Sequence, residues 1–328
     1  MSHRINGLYL CCLLVLSAAA CADRTHAPDD GRPAKSRKNS PSASRAPVGE
    51  SASYGSPVHL ADLADRNIAE SSGIVASRLN PGLYWTHNDA GDGPFIYAFD
   101  RSGASKGVWR VAGADALDWE DIAAGPGPAR ETSYLYIGDI GDNDQDRKVI
   151  IVYRIPEPAV DSAVSASRAD PLRTAPAEAI RLEFPDGKHN AEALLIHPRT
   201  GDLYIITKTK NAACKVYRAT APFDTSTTVQ LGVVGELQLP GESGWMITGA
   251  DISPDGRRVV LCDNFSAYEL TLADVDSGFE HIWRRPLASI ELGDRRQGEA
   301  VCYRHDGLAI LATSEETPTP LIEVLRKE

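Results

Sequence analysis

Five short stretches of this 328-residue chain can be laid over one another: ESSGI (Glu70–Ile74), DWEDI (Asp118–Ile122), NAEAL (Asn190–Leu194), TGADI (Thr248–Ile252) and QGEAV (Gln297–Val301). Their closing aliphatic residues lie 48, 72, 58 and 49 positions apart. Each is followed by a Gly/Pro turn and an alternating apolar run such as YLYIGDIGDN or LYIITKTK. A third run follows, and in most units a fourth. A unit of four short strands cannot bury both of its faces alone, so copies must stack around a common axis. The repeat therefore predicts an all-β chain forming a single β-propeller of five blades of about four strands over residues 56–328, with six blades as the alternative. The last unit stops after its third run at Glu328, while SPVHLADL (Ser56–Leu63) precedes the first unit and belongs to none. It is predicted to be an N-terminal strand that closes the last blade and leaves fewer open edges. The 72-residue gap holds PAVDSAVSASRADPLRTAPAE, read as a polar insertion and not a blade.

The chain ahead of the repeats reads differently. Arg4 precedes an apolar run, GLYLCCLLVLSAAAC, that is short for a membrane span and ends in small residues. SAAAC, ending at Cys21, resembles the lipobox of bacterial lipoproteins, with Ala18 where a branched residue is usual. That resemblance implies a signal peptide over residues 1–21, lipid attached to Cys21 and a membrane anchor. A plain secretory cut after Ala22 is the rival. Since Ala22 and not Asp follows the cysteine, the resemblance implies an outer-membrane lipoprotein, with a periplasmic or secreted protein as the other outcome. Residues 22–55 are rich in Ser, Pro and Arg, without apolar periodicity, and are expected to form a disordered tether.

The net charge is −11. Setting aside Arg4 and the mildly basic tether leaves about −14 on residues 51–328. Such a surface repels phosphates and argues against a nucleic-acid partner. Of six cysteines, Cys11 and Cys12 fall in the leader and Cys21 is the lipid candidate. Cys214, Cys262 and Cys302 remain, an odd number with no zinc-like spacing, and read as small buried side chains.

In a propeller the innermost strands begin on the face where the second strands end. The starts of all five units and the ends of YLYIGD, LYWTHND, LYIITK, VVLCDN and AILATSEE should thus ring one mouth of the channel. The metal candidates there are Glu120, Asp139, Asp142, Glu192, Asp251, Asn264 and Glu299, with Glu120, Glu192 and Glu299 as catalytic candidates. Two carboxylates at about 4 Å repel by roughly 4 kcal/mol at an effective dielectric near 20. A cation, a shared proton or a lysine such as Lys208 must offset this. Oxygen donors alone suit Ca²⁺ or Mg²⁺. DNDQD is not an EF-hand, because Arg147 stands at its glycine position and Tyr153 at its final Glu. His189 and Glu192 turn to opposite faces if HNAEALLIH is a strand, which argues against zinc. Trp119 either stacks on a ligand or packs between blades.

A Glu opening an inner strand, with Asp and Asn ending others, resembles the cation-dependent propeller hydrolases: gluconolactonases, paraoxonases and propeller phytases. In those families a central divalent cation polarises an ester, lactone or phosphate oxygen. The resemblance implies that the inner-strand Glu corresponds to Glu120, Glu192 or Glu299, and the Asp and Asn to Asp251 and Asn264. Lys208 departs from the pattern, standing where a neutral ligand is usual. The expectation is an exported, lipid-anchored monomer whose acidic central face takes a small molecule or envelope ligand. A hydrolase of lactone, ester or phosphoester substrates is the first reading. A non-catalytic cell-envelope binding or scaffolding propeller is the alternative.

Overall fold

A computed structural model describes residues 53–210, 212–240, 246–273, 278–315 and 317–327. The leader, Cys21 and most of the tether lie outside the described residues. Five antiparallel sheets follow one another along the chain. Blade 1 is Ser71–Ala76, Leu83–Asn88, Phe95–Asp100 and Ser105–Arg110. Blade 2 is Trp119–Pro126, Ser133–Asp139, Ile150–Pro156 and Glu178–Glu183. Blade 3 is Ala191–Ile196, Leu203–Thr207, Cys214–Ala219 and Gly232–Leu237. Blade 4 is Gly249–Ile252, Arg258–Cys262, Ser266–Thr271 and Ala288–Glu291. Blade 5 is Gly298–Tyr303, Ala309–Ser314 and Pro320–Leu325, completed by Val58–Asp62 from the N-terminal side. Each innermost strand packs against the innermost strands of the blades on either side, so the ring is closed with five members.

Every blade is sandwiched between two others, which explains runs such as LYIIT and VVLC that are apolar on both faces and fully buried. Their side chains form five apolar clusters, one at each junction between consecutive blades. Between blades 1 and 2, Trp85 and Trp109 meet edge to face at 5.0 Å. Each large apolar side chain buried in this way contributes about 1.5–3 kcal/mol. The hairpins that leave the inner strands turn tightly. Gly256 and Gly307 hold φ values of +70° and +69° there, a conformation in which side chains are strained.

Four details go beyond the repeat as read from the sequence. The insertion after blade 2's third strand is not only a loop: Leu172–Arg173 adds a fifth, parallel strand to blade 1. Thr228–Gln230, just ahead of blade 3's outer strand, pairs in parallel with the outer strand of blade 2. A 3₁₀ helix at Phe279–Arg284 precedes the outer strand of blade 4. Pairing also begins earlier than residue 56, since Tyr54 bridges Arg326 and the Gly55 N–H donates to Leu325 O at 2.7 Å.

Val58–Asp62 joins Pro320–Leu325 by antiparallel pairing and covers an edge that is otherwise bare. Removal of residues up to Asp62 is expected to lower the melting temperature by about 10 °C or more, several kcal/mol of lost pairing and packing in a chain of this size. Scanning calorimetry checks this; an unchanged midpoint would mean that the ring does not depend on its closing strand.

Candidate functional site

The five pentapeptides occupy equivalent places, and alternation decides what each residue faces. The third position holds Ser72, Glu120, Glu192, Ala250 and Glu299. The three glutamates are buried, and their charges act on one another across the channel. The fourth position holds Gly73, Asp121, Ala193, Asp251 and Ala300 and turns toward the neighbouring blade. Asp121 accepts the Leu194 N–H at 2.9 Å, and Asp251 accepts the Tyr303 N–H at 2.9 Å. Each also takes the N–H of the residue after it, at 2.8 Å. These two acids stitch inner strands together. Asp251 therefore stands apart from the mouth, and blade 4 has no carboxylate at the third position, where Ala250 packs into the apolar cluster shared with blade 3.

A second tier comes from the residues that follow the second strands. The N–H of Asp89, Lys208 and Glu315 donates to the carbonyl of Glu70, Asn190 and Gln297 respectively, at 3.0–3.1 Å. In blade 2 the matching N–H belongs to Gly141, which donates to Asp118 O at 3.2 Å. Blade 2 thus lacks a side chain where its neighbours carry one. A Cβ on Gly141 would stand 2.2 Å from Glu120 Oε1 and 2.3 Å from Asp118 Oδ2, so both carboxylates fold over the bare backbone. Asp89 completes the group, and one ligand oxygen from each of Asp89, Asp118 and Glu120 lies within 4.8 Å of the others. Among the described residues this is the one group of acidic, His or Cys side chains arranged to hold a metal ion.

The loop that carries Gly141 is fixed by the acids of GDIGDNDQDR. Asp139 pairs with Arg147 at 2.8 Å and accepts the N–H of Leu117 and Asp118, both at 3.2 Å. Asp142 accepts the N–H of Asp146 and Arg147 at 2.8 and 3.0 Å. Arg147 also donates to the carbonyls of Gly141 and Asp139, at 2.7 and 3.1 Å. Asp139 and Asp142 are thus spent on holding the loop, and the three oxygens that converge come from Asp89, Asp118 and Glu120.

Across the mouth, Lys208 binds Glu192, which also accepts Asn190 Nδ2 at 3.3 Å. Asn264 Nδ2 donates to Glu299 Oε1 at 2.8 Å, and Gln297 Nε2 to Glu315 Oε2 at 3.0 Å. Burial raises the carboxyls of Glu192 and Glu299 to about 7, against the pull of Lys208. Burial, then the charge of Glu299, raises Glu315 to about 7. Glu120 is pushed well above the ordinary range by burial and then by Glu192, Asp89 and Asp118. Asp118 is raised by burial and Asp89. Burial lowers Lys208, but Glu192 and then Glu299 outweigh it, so the ammonium stays charged. One lysine, with Arg147 acting on Asp118, faces six carboxyls. The rest of the charge must be met by protons or by a bound cation.

Other candidates lie elsewhere. Trp119 is fully buried, donates to Asp115 O at 2.9 Å and meets His87 edge-on at 5.7 Å, so it packs between blades. His189 bonds Asp186 at 3.0 Å and packs on Phe184 and Tyr217, away from Glu192. Cys214, Cys262 and Cys302 are free and buried.

No family model matches this chain, and no curated protein matches it. Among solved structures it is similar to the hydrazine synthase of Kuenenia stuttgartiensis, at 13% identity and a TM-score of 0.42. The match covers 78% of this chain and 71% of that one.

Proposed function

We propose that the acidic mouth binds a divalent cation, Ca²⁺ or Mg²⁺, and hydrolyses a small ester, lactone or phosphoester. The observation that carries this reading is the convergence of Asp89, Asp118 and Glu120 over Gly141. Among the described residues no basic side chain lies within 4 Å of the three, since Lys208 is taken by Glu192. Three hard oxygen donors suit these ions and leave coordination positions for water and substrate. A bound ion would supply Lewis acidity to the substrate oxygen. Glu192 is the general base in this reading: its carboxyl titrates at about 7, and Lys208 keeps a fraction ionised at neutral pH. Glu299, held by Asn264, and Glu315 border the space a substrate would fill. The same reading makes the protein an exported, lipid-anchored monomer. It rests on the leader GLYLCCLLVLSAAAC, with Cys21 as lipid attachment, and on the tether behind it.

Calorimetric titration with CaCl₂ and MgCl₂, followed by ester, lactone and phosphoester hydrolysis with and without chelator, tests the proposal. The expected result is a binding heat and turnover that chelator removes. Absence of both sinks it. Binding without turnover would return the non-catalytic envelope propeller.

A further inference from the structure

We propose that the end of the channel opposite the acidic mouth binds a small carboxylate anion, held by the guanidinium of Arg78. The innermost strands all run from the acidic mouth toward this end. There they enclose a cavity of about 210 Å³ to which every blade contributes. Arg78 comes from blade 1, Ala124 from blade 2, Pro198 from blade 3, Pro254 from blade 4 and His305 from blade 5.

Arg78 lines this cavity half-buried, and desolvation lowers its pKa against the charges of Asp251 and Glu157. Among the described residues no carboxylate oxygen reaches within 4.0 Å of its guanidinium, and its nitrogens are not among the buried atoms left without a partner, so they keep access to solvent. The two nearby acids are engaged elsewhere. Glu157 accepts Ser77 Oγ, Trp85 Nε1 at 2.9 Å, and the N–H of Arg78 and Leu79 at 3.3 and 3.1 Å. Asp251 accepts the N–H of Ile252 beside it at 2.8 Å and of Tyr303 in blade 5 at 2.9 Å.

A guanidinium presents five donors in a planar fork, and at this half-buried cavity wall they are open to a ligand. A carboxylate matches that fork with two parallel hydrogen bonds. The remaining walls are mostly aliphatic or proline and suit a short hydrocarbon tail. Asp251 beside the site opposes a dianion, so a monocarboxylate is preferred to phosphate. The cavity is smaller than the usual range of about 300–1,000 Å³ for drug-sized ligands, which limits the ligand to a few carbons or one ring.

The test is ligand-observed NMR and calorimetric titration of the purified protein with sodium benzoate, sodium butyrate and inorganic phosphate. Benzoate or butyrate should bind with a Kd on the order of 1 mM, and phosphate about tenfold or more weaker. Arg78→Met should lose about tenfold or more of carboxylate affinity, while Gly141→Ala, at the other mouth, should retain it. Arg78→Lys keeps the charge without the fork and should fall between; it carries the test if the methionine variant melts early. The proposal is overturned by absence of carboxylate binding at about 10 mM, by equal affinity in the folded Arg78 variants, or by tighter binding of phosphate.

Discussion

Gly141→Ala should abolish cation binding while leaving the propeller folded. Gly141 does not occupy the left-handed region, so its backbone accepts an alanine. The atoms a Cβ would strike are carboxylate oxygens at the ends of Glu120 and Asp118, which are able to swing away. Swinging away is what the site cannot tolerate, because two of its three converging oxygens are then lost. We expect affinity for Ca²⁺ or Mg²⁺ to fall by about a hundredfold, or about 2.7 kcal/mol. The melting temperature without cation should change by no more than about 2 °C, under 1 kcal/mol. Glu120→Gln should reproduce the loss of binding. Titration calorimetry reads both variants, and wild-type affinity in Gly141→Ala would remove the metal centre from this part of the mouth.

Stability of the cation-free protein should fall as pH rises from about 5 to 8. Glu192, Glu299 and Glu315 have an ordinary value of 4.5 and are raised to about 7, chiefly by burial. Asp251 is likewise raised to about 7 by burial. Between those values the unfolded chain has released protons that the folded chain still holds. Folding therefore takes up protons, and stability declines with pH until the folded groups have ionised. One group moved this far is worth on the order of 3 kcal/mol when fully buried. Glu315 is half-buried, and Lys208 is shared among the others, so a net loss of about 3–5 kcal/mol is expected. His87 and His197, held uncharged by burial, work in the opposite sense below about pH 6.5 and flatten the acid end. The strongly depressed Asp186 and Asp100 titrate below this window. Saturating Ca²⁺ or Mg²⁺ should reduce the slope, since a cation held by Asp89, Asp118 and Glu120 favours ionisation of the neighbouring glutamates, while the share from Asp251, apart from the mouth, should remain. Urea unfolding at several pH values with and without cation provides the measurement. A profile that is flat, or that rises with pH, would contradict the picture of under-compensated acids.

The repeat made the blade number and the closing strand legible, because strand runs and turns recur even where residues differ. The ring of glutamates was legible for the same reason: Glu120, Glu192 and Glu299 share the third pentapeptide position. Aligning TGADI with DWEDI puts Asp251 beside Asp121 and not beside Glu120, and alternation then sends it sideways. Asp139 and Asp142 looked available because a sequence does not display Arg147 or the backbone N–H groups that engage them. Gly141 was the hardest to see. Its importance lies in an absent side chain, legible only once the second-strand ends of all five blades are compared. The parallel strands Leu172–Arg173 and Thr228–Gln230 have too few residues to show any period.

The seam of blade 5 also sets the order of assembly in time. Its ladder joins residues 58–62 to residues 320–325. A nascent chain can stack blades 1 to 4, but the Val58–Asp62 segment has no partner until Pro320–Leu325 is available. Ring formation is therefore the final event of propeller assembly, completed only when Pro320–Leu325 has joined Val58–Asp62. Until then the unpaired edge is the segment most open to chaperones and proteases.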